Sequence, residues 1–169
     1  MAKRIGLFVD VSNVYYCLKQ RHGTRKLSYK KLLAFVKDLG EIQVAIAYGS
    51  QLKGVADRFL AQLRRLGFRT NFKEPKTFHS DKKGIQRKAD WDVGIAVDIM
   101  AMLDRLDLVV LCTGDGDMAP IIDAAQNAGV TVLVVGTNIS YELKAVANQC
   151  IEIPESFLES GNEITKTDS

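Results

Sequence analysis

Apolar residues follow two alternating patterns along this chain. Six short strand-like runs, most of them almost continuously apolar, are typical of buried strands in a parallel sheet. Between these runs, apolar residues recur every three or four positions, which predicts amphipathic helices. Alternating strands and helices predict an α/β fold with a mostly parallel sheet covered on both faces. The strand-like runs are residues 4–9, 43–48, 68–72, 108–112, 131–135 and 150–153.

Helix ends carry local signals. Ser28 is suited to cap the start of one helix, and Gly40 follows its last apolar residue. Pro120 lies in the first turn of a later helix, and Gly129 comes just after its end. A last helix is predicted over residues 140–148. These signals place each predicted helix between two strands.

The length of 169 residues suits one domain, which we expect to span residues 1–160. Residues 161–169 are polar and are expected to form a disordered tail. No apolar run approaches the roughly 20 residues of a membrane span. The three cysteines show no pairing pattern. We therefore expect a cytoplasmic protein with no membrane contact.

Positive charge is concentrated in one segment. Residues 69–88 hold seven lysines or arginines against two acidic residues, a net charge of +5 in a chain whose total is +3. Residues 73–89 also form the longest predicted irregular segment, and long connections are often functional. A polyanion such as RNA would suit this segment, and so would a solvated loop. The candidate RNA-binding residues are Lys82, Lys83, Arg87 and Lys88.

Acidic residues stand where strands end or helices begin. Asp10 follows the first strand, Asp115 and Asp117 follow the fourth, and Asp90 and Asp92 open a helix. Such positions meet at the carboxyl edge of a parallel sheet. Helix capping or the helix dipole explains any one of these acids alone. Their convergence instead indicates a site for a hard cation, Mg²⁺ or Mn²⁺, and metal-assisted phosphate chemistry.

Four further polar residues are candidates for supporting roles. Asp98 falls on the apolar stripe of its helix, about 9 Å along the axis from Asp92. It is therefore expected to support the site through a hydrogen bond and not to bind metal directly. Ser12 and Asn13 lie at the predicted helix start after Asp10, and Asn13 is suited to hold Asp10 or a phosphate. Thr113 is suited to orient Asp115 or to contact a phosphate.

Other chemistries fit less well. The two histidines, His22 and His79, lie in polar segments, which gives little support to a zinc site or a histidine-based triad. The turn from Asp10 to Asn13 contains no glycine, unlike a dinucleotide-binding turn. A receiver domain needs two adjacent acids at the end of the first strand, whereas here Asp10 stands alone. A haloacid-dehalogenase-like phosphatase needs a second acid two positions after the first, where this chain has Ser12.

Three motifs resemble the NYN domain of the PIN-like nuclease superfamily, particularly its bacterial LabA-like branch. The resemblance covers roughly residues 4–153. The matching motifs are Phe8-Val9-Asp10-Val11-Ser12-Asn13, then Lys88-Ala89-Asp90-Trp91-Asp92-Val93 running into Ala96-Val97-Asp98, then Thr113-Gly114-Asp115-Gly116-Asp117-Met118. The family often has serine and phenylalanine in place of Thr113 and Met118. The spacing between Lys88 and Asp92 leaves open whether Asp90 or Asp92 is the direct metal ligand.

The resemblance implies a Rossmann-like, three-layer fold with strand order near 3-2-1-4-5. It also implies a divalent-metal ribonuclease site in which Asp10, Asp92, Asp115 and Asp117 are catalytic and bind the metal, with Asp98 as a further acid. The expected activity is endonucleolytic cleavage of single-stranded or structured RNA, leaving 5′-phosphate and 3′-hydroxyl ends. The alternative is a weakly active or inactive RNA-binding scaffold of the same fold.

Two expectations concern what surrounds this site. Tyr15, Tyr16 and Trp91 are able to stack on a base, although core packing is favoured for Trp91 and for at least one of the tyrosines. A homodimer is compatible with the resemblance, because a partner copy can deepen the shallow site of a small domain of this class.

Overall fold

A computed structural model describes residues 1–50, 57–73, 76–80, 84–88 and 91–160. The elements in this part of the chain alternate between strands and helices, as the apolar pattern predicts. In chain order they are β1 (Arg4–Asp10), α1 (Val11–His22), α2 (Tyr29–Leu39), β2 (Glu41–Ser50), α3 (Asp57–Arg65), β3 (Arg69–Lys73), β4 (Lys76–Ser80), β5 (Gly84–Lys88), α4 (Asp92–Met102), β6 (Leu108–Cys112), α5 (Ala119–Asn127), β7 (Thr131–Gly136), α6 (Tyr141–Val146) and β8 (Gln149–Glu152).

Six strands form one parallel sheet in the order β3-β2-β1-β6-β7-β8. If β4 and β5 are left out and the six strands of this sheet are numbered in chain order, their order is 3-2-1-4-5-6. This is the order 3-2-1-4-5 expected from the sequence, with a sixth strand at the edge. The predicted α/β class and parallel sheet are therefore confirmed. The central strand β1 pairs with β2 on one side and with β6 on the other, so its carboxyl end lies in the middle of the sheet edge.

Alternating side chains on each central strand supply two separate cores. Ile5, Leu7 and Val9 of β1 pack into the layer formed by α1, α2 and α3. Phe8 points to the opposite layer, which α4, α5 and α6 cover. Because both faces are covered, the central strands are apolar along their whole length. This arrangement makes three layers, with the sheet in the middle.

Two details of the predicted elements are wrong. Residues 73–89 were expected to be irregular, but β4 and β5 pair as an antiparallel hairpin apart from the main sheet. Its strands are short and rich in charged and polar residues, so they lack the apolar run that marks a core strand. The last helix is shorter than residues 140–148, since it begins after the Ser140 cap and ends at Val146.

Several helix ends agree with the sequence. Ser28 Oγ accepts a hydrogen bond from the Lys31 amide at the start of α2. Pro120 lies in the first turn of α5, and Gly129 beyond its end has a positive φ of 82°. Among the described residues, no helix has both the length and the apolar character needed to span a membrane.

Candidate metal centre

Three carboxylates from two separate elements come together at the carboxyl edge of the sheet. Asp92 opens α4, and Asp115 and Asp117 lie in the turn between β6 and α5. Each offers an oxygen atom, and these three atoms all lie within 4.8 Å of one another. Like charges at this separation repel one another unless a cation lies between them. An all-oxygen, all-carboxylate set is the donor chemistry that Mg²⁺ and Mn²⁺ prefer, so the residues fit such an ion.

The turn after β6 is held by its own side chains. The fully buried Thr113 accepts a hydrogen bond at Oγ1 from the Asp115 amide, at 3.1 Å. Asp115 Oδ1 in turn accepts one from the Asp117 amide, at 3.0 Å. One oxygen of Asp115 therefore orders the backbone of the turn, while Thr113 fixes where that turn starts. The expectation that Thr113 orients Asp115 corresponds to the first of these bonds.

Glycine is required at one position of this turn. A Cβ atom on Gly114 would lie 2.9 Å from the carbonyl oxygen of Thr137 and 3.1 Å from that of Asn138. Both contacts are with backbone, which cannot swing aside as a long side chain would. Because Gly114 has no Cβ atom, the loop after β7 can pass close to the backbone of this turn.

Asp10 lies beside this group of three and is not a member of it. Its side chain is only 8% exposed, and Oδ1 accepts a hydrogen bond from the Asn13 amide, at 3.2 Å. Asp10 therefore caps α1, as the capping interpretation of the sequence predicted. Ser12 is half-buried in the same first turn. The prediction that Asp10 also binds the metal stays a prediction, because one carboxylate oxygen can cap a helix while the other binds a cation.

Asn13 connects the helix after β1 to the turn after β6. Its Oδ1 atom accepts a hydrogen bond from the Gly114 amide, at 2.8 Å. The Cys17 thiol lies 3.9 Å from the same oxygen. The side-chain oxygen of Asn13 thus holds the turn that carries Asp115 against α1. The expectation that Asn13 holds Asp10 corresponds to the bond from its backbone amide, while its side chain holds the turn. A contact between Asn13 and a phosphate stays a prediction.

Buried contacts hold the start of α4 against the end of β2. The Tyr48 hydroxyl donates a 2.7 Å hydrogen bond to Asp98 Oδ2. The Trp91 indole N–H donates to the Gly49 carbonyl, at 2.8 Å. Burial raises the pKa of Tyr48, and the hydrogen bond to Asp98 raises it further, so the hydroxyl stays a donor. Asp98 lies away from the three clustered acids and supports α4 through Tyr48.

The aromatic candidates differ in exposure. Trp91 is half-buried, packs against Tyr48 at 5.6 Å between ring centroids, and has Lys73 Nζ 4.2 Å from its ring centroid. Tyr15 and Tyr16 are 54% and 61% exposed. The expectation that one of these tyrosines packs in the core is wrong, because α1 points only Val14 and Leu18 fully inward.

Two acids near this edge were missed by the sequence analysis. Glu142 lies in the first turn of α6, and its Oε2 would be 2.9 Å from a Cβ on Gly116. Glu152 ends β8 and accepts a hydrogen bond from the Ile139 amide, at 3.4 Å. Burial raises the pKa of the Cys17 thiol, and the charges of Asp10, Asp115 and Glu152 raise it further. The strand-end rule that selected Asp10 would have found Glu152.

Several predicted site residues lie outside the described residues. These are Asp90, Lys82 and Lys83. Whether Asp90 binds the metal therefore stays a prediction. Arg87 and Lys88 lie at the end of β5, in the strand paired with β4. The tail expected at residues 161–169 also lies outside the described part.

Comparison with known proteins agrees with the geometry of this edge. A family model described as NYN domain matches residues 4–155, which include every clustered carboxylate. The chain belongs to the NYN domain family. NYN domains are a PIN-like nuclease family, so the acids stand in a fold that carries nucleases. The resemblance predicted from the three motifs is confirmed.

Two relatives of this NYN domain are similar over nearly their whole length. The low amplitude and bright protein LabA of Synechococcus elongatus is 28% identical over 165 residues, covering 92% of this chain and 88% of that protein. A crystal structure of a protein of unknown function from Vibrio parahaemolyticus is also 28% identical. It has a TM-score of 0.82 and covers 94% of this chain and 97% of its own. This NYN domain is thus similar to LabA in sequence and to the Vibrio protein in fold.

Proposed function

We propose that this NYN domain is a divalent-metal-dependent ribonuclease that cleaves RNA internally. The observation that supports the proposal is the group formed by Asp92, Asp115 and Asp117, whose oxygen atoms lie within 4.8 Å of one another. Three carboxylates at one sheet edge are costly without a cation. A family of nucleases provides the chemical context. Mg²⁺ and Mn²⁺ are the ions that suit these ligands.

The three carboxylates would hold the cation, which when bound would neutralise phosphate charge and lower the pKa of water. Asp115 has a second task, because its Oδ1 accepts the Asp117 amide and keeps the turn in place. Asp10 borders the site on the β1 side and adds negative charge near the ligands. Hydrolysis on this arrangement leaves a 5′-phosphate and a 3′-hydroxyl.

The basic segment is the proposed contact for the RNA backbone. Lys82, Lys83, Arg87 and Lys88 precede the helix of Asp92 directly in sequence. Contacts between lysines or arginines and phosphates release counterions, so affinity should fall steeply as salt is raised. The proposed substrate is single-stranded or structured RNA. The rate of cleavage should fall as salt is raised, because the RNA then binds more weakly.

The test is cleavage of an end-labelled RNA with Mn²⁺ or Mg²⁺, with EDTA as the metal-free control. We expect Asp115→Asn and Asp92→Asn each to lower the rate by more than about 100-fold, because each removes a charged ligand. Asp123→Asn is the matched control, since Asp123 is exposed on α5 outside the cluster. It should cleave like the wild type.

Three outcomes separate the alternatives. Cleavage that persists unchanged in both cluster variants would come from a contaminant and would refute the proposal. RNA binding without cleavage, in the presence of either metal, would favour the scaffold alternative. Products that lack a 5′-phosphate would contradict the proposed position of bond cleavage.

A further inference from the structure

A pocket of about 400 Å³ lies between the start of α1 and the start of α3, on the sheet face covered by α1, α2 and α3. Its volume is within the roughly 300–1,000 Å³ of small-molecule sites. Val11, which directly follows Asp10, lines the pocket. Tyr29 also lines it, and the Asp10 charge is among the causes that raise the pKa of Tyr29, after burial. The pocket and the carboxylate edge are therefore neighbours along the first turns of α1.

The inner surface of the pocket is apolar and partly aromatic. Val14, Leu18 and Leu27 form buried parts of its lining. Tyr29 and Phe59 pack edge to face, with 5.6 Å between their ring centroids. The ring of Tyr15 also lines the pocket, although more than half of that side chain is exposed. A flat, apolar group such as a nucleobase fits walls of this kind.

The lining also carries charge and hydrogen-bonding groups. Arg25, Lys26 and Arg58 contribute three positive charges, against Glu159 in the lining and Glu155, whose carboxylate lies 3.8 Å from Arg25 Nη1. The Arg25 Nε atom is buried and has no hydrogen-bond partner among the described residues. A buried donor without an acceptor is costly, and an oxygen or nitrogen of a ligand would satisfy it. The side-chain amide of Gln62 can both donate to and accept from the edge of a base.

We propose that this pocket binds a nucleotide, with the base against the aromatic walls and the phosphate near the arginines. The inference rests on the proposed ribonuclease function, which makes RNA the strand to which the bound nucleotide belongs. In RNA, the bound nucleotide would be an unpaired one, because only an unstacked and unpaired base can enter such a pocket. A free mononucleotide offers the same base and phosphate.

The chain offers two matched pairs of variants for the test. Tyr15 and Tyr16 are both exposed on α1, and only Tyr15 lines the pocket. Arg58 and Arg65 are both exposed on α3, and only Arg58 lines it. Replacing exposed side chains leaves the core intact. Each pair thus separates the pocket from the general charge and aromatic content of the surface.

The experiment is calorimetric titration in EDTA, where no cleavage takes place, with AMP, UMP and a trinucleotide as probes. We expect saturable binding, weakened about tenfold by Tyr15→Ala through lost stacking. Arg58→Ala should weaken binding and lower the salt dependence of trinucleotide binding by about one unit of slope. Tyr16→Ala and Arg65→Ala should bind like the wild type. Tighter binding of the trinucleotide identifies an RNA strand as the source, and equal binding identifies a free nucleotide.

The pocket proposal is overturned if none of the probes binds, or if both members of each pair weaken binding equally. Binding of a medium-chain fatty acid with no binding of nucleotides would also overturn it. The ribonuclease proposal fails separately, through unchanged cleavage in the Asp115→Asn and Asp92→Asn variants. If nucleotides bind in EDTA but no metal-dependent cleavage is found, the pocket proposal stands and the ribonuclease proposal fails.

Discussion

Single hydrogen bonds decide where the clustered acids lie. Asp98 is half-buried on the apolar side of α4, where a charge is stabilised by a hydrogen-bond partner. The Tyr48 hydroxyl provides that partner, and the Trp91 indole makes a parallel bond to the end of β2. These two contacts set the position of the first turn of α4, which carries Asp92.

Removing the Tyr48 hydroxyl should therefore destabilise the fold. We expect Tyr48→Phe to lower the free energy of unfolding by about 1–3 kcal/mol, because Asp98 loses its donor. The measurement is urea unfolding at neutral pH. Tyr141→Phe is the matched control, since Tyr141 is 82% exposed, and it should change stability little. Equal effects of the two variants would contradict the role assigned to this bond.

At the scale of elements, the strand ends explain why distant acids meet. The apolar runs predicted the inner strands of the main sheet, since buried parallel strands are apolar on both faces. The edge strands β3 and β8 were also predicted, although they are partly exposed. The hairpin of β4 and β5 could not be predicted in this way, because neither strand lies in that sheet. Capping by Asp10 was predicted from the sequence, and the bond from the Asn13 amide to its side chain confirms it.

The opposite edge of the sheet is joined by an ion pair between neighbouring strands. Arg4 starts β1, and its backbone amide, Nε and Nη2 all donate to the Asp107 carboxylate before β6. These hydrogen bonds lower the pKa of Asp107 to about 2. Because the folded pKa is depressed, the pair stabilises the fold above the unfolded pKa of about 3.9 and this contribution is lost as the pH falls through the folded value.

The Asp107→Asn variant tests this pH dependence. We expect the stability difference from the wild type to be full above about pH 5 and to shrink as the pH falls from about 4 to about 2. Urea unfolding across this range gives the difference. Measurement at high salt is the control, because salt screens an exposed ion pair and should reduce the difference. A difference that stays constant with pH would contradict the assignment.

At the scale of the whole molecule, the segment after β8 returns to the loop before α2. The Ser28 amide donates to the Phe157 carbonyl, and the Glu159 amide donates to the Lys26 carbonyl. Leu27 and Leu158 form a bridge between the two segments, and both side chains are buried. The domain therefore extends past its last strand, to about residue 160, and Glu159 reaches the nucleotide pocket.

Leu158→Ala tests whether this segment is part of the stable fold. Leu158 is 1% exposed, so its truncation should lower the free energy of unfolding by about 2–5 kcal/mol. Leu39→Ala is the matched control, because Leu39 is 36% exposed at the end of α2 and should cost much less. Urea unfolding compares the two. Similar small losses in both would mean that the segment is only loosely attached.

The central position of β1 also controls when the site can form during synthesis. Ile5 pairs with Leu108, so during synthesis β1 waits for a strand that is made about 100 residues later. A nascent chain lacks the group of three carboxylates until Asp117 has been added and β6 has joined β1.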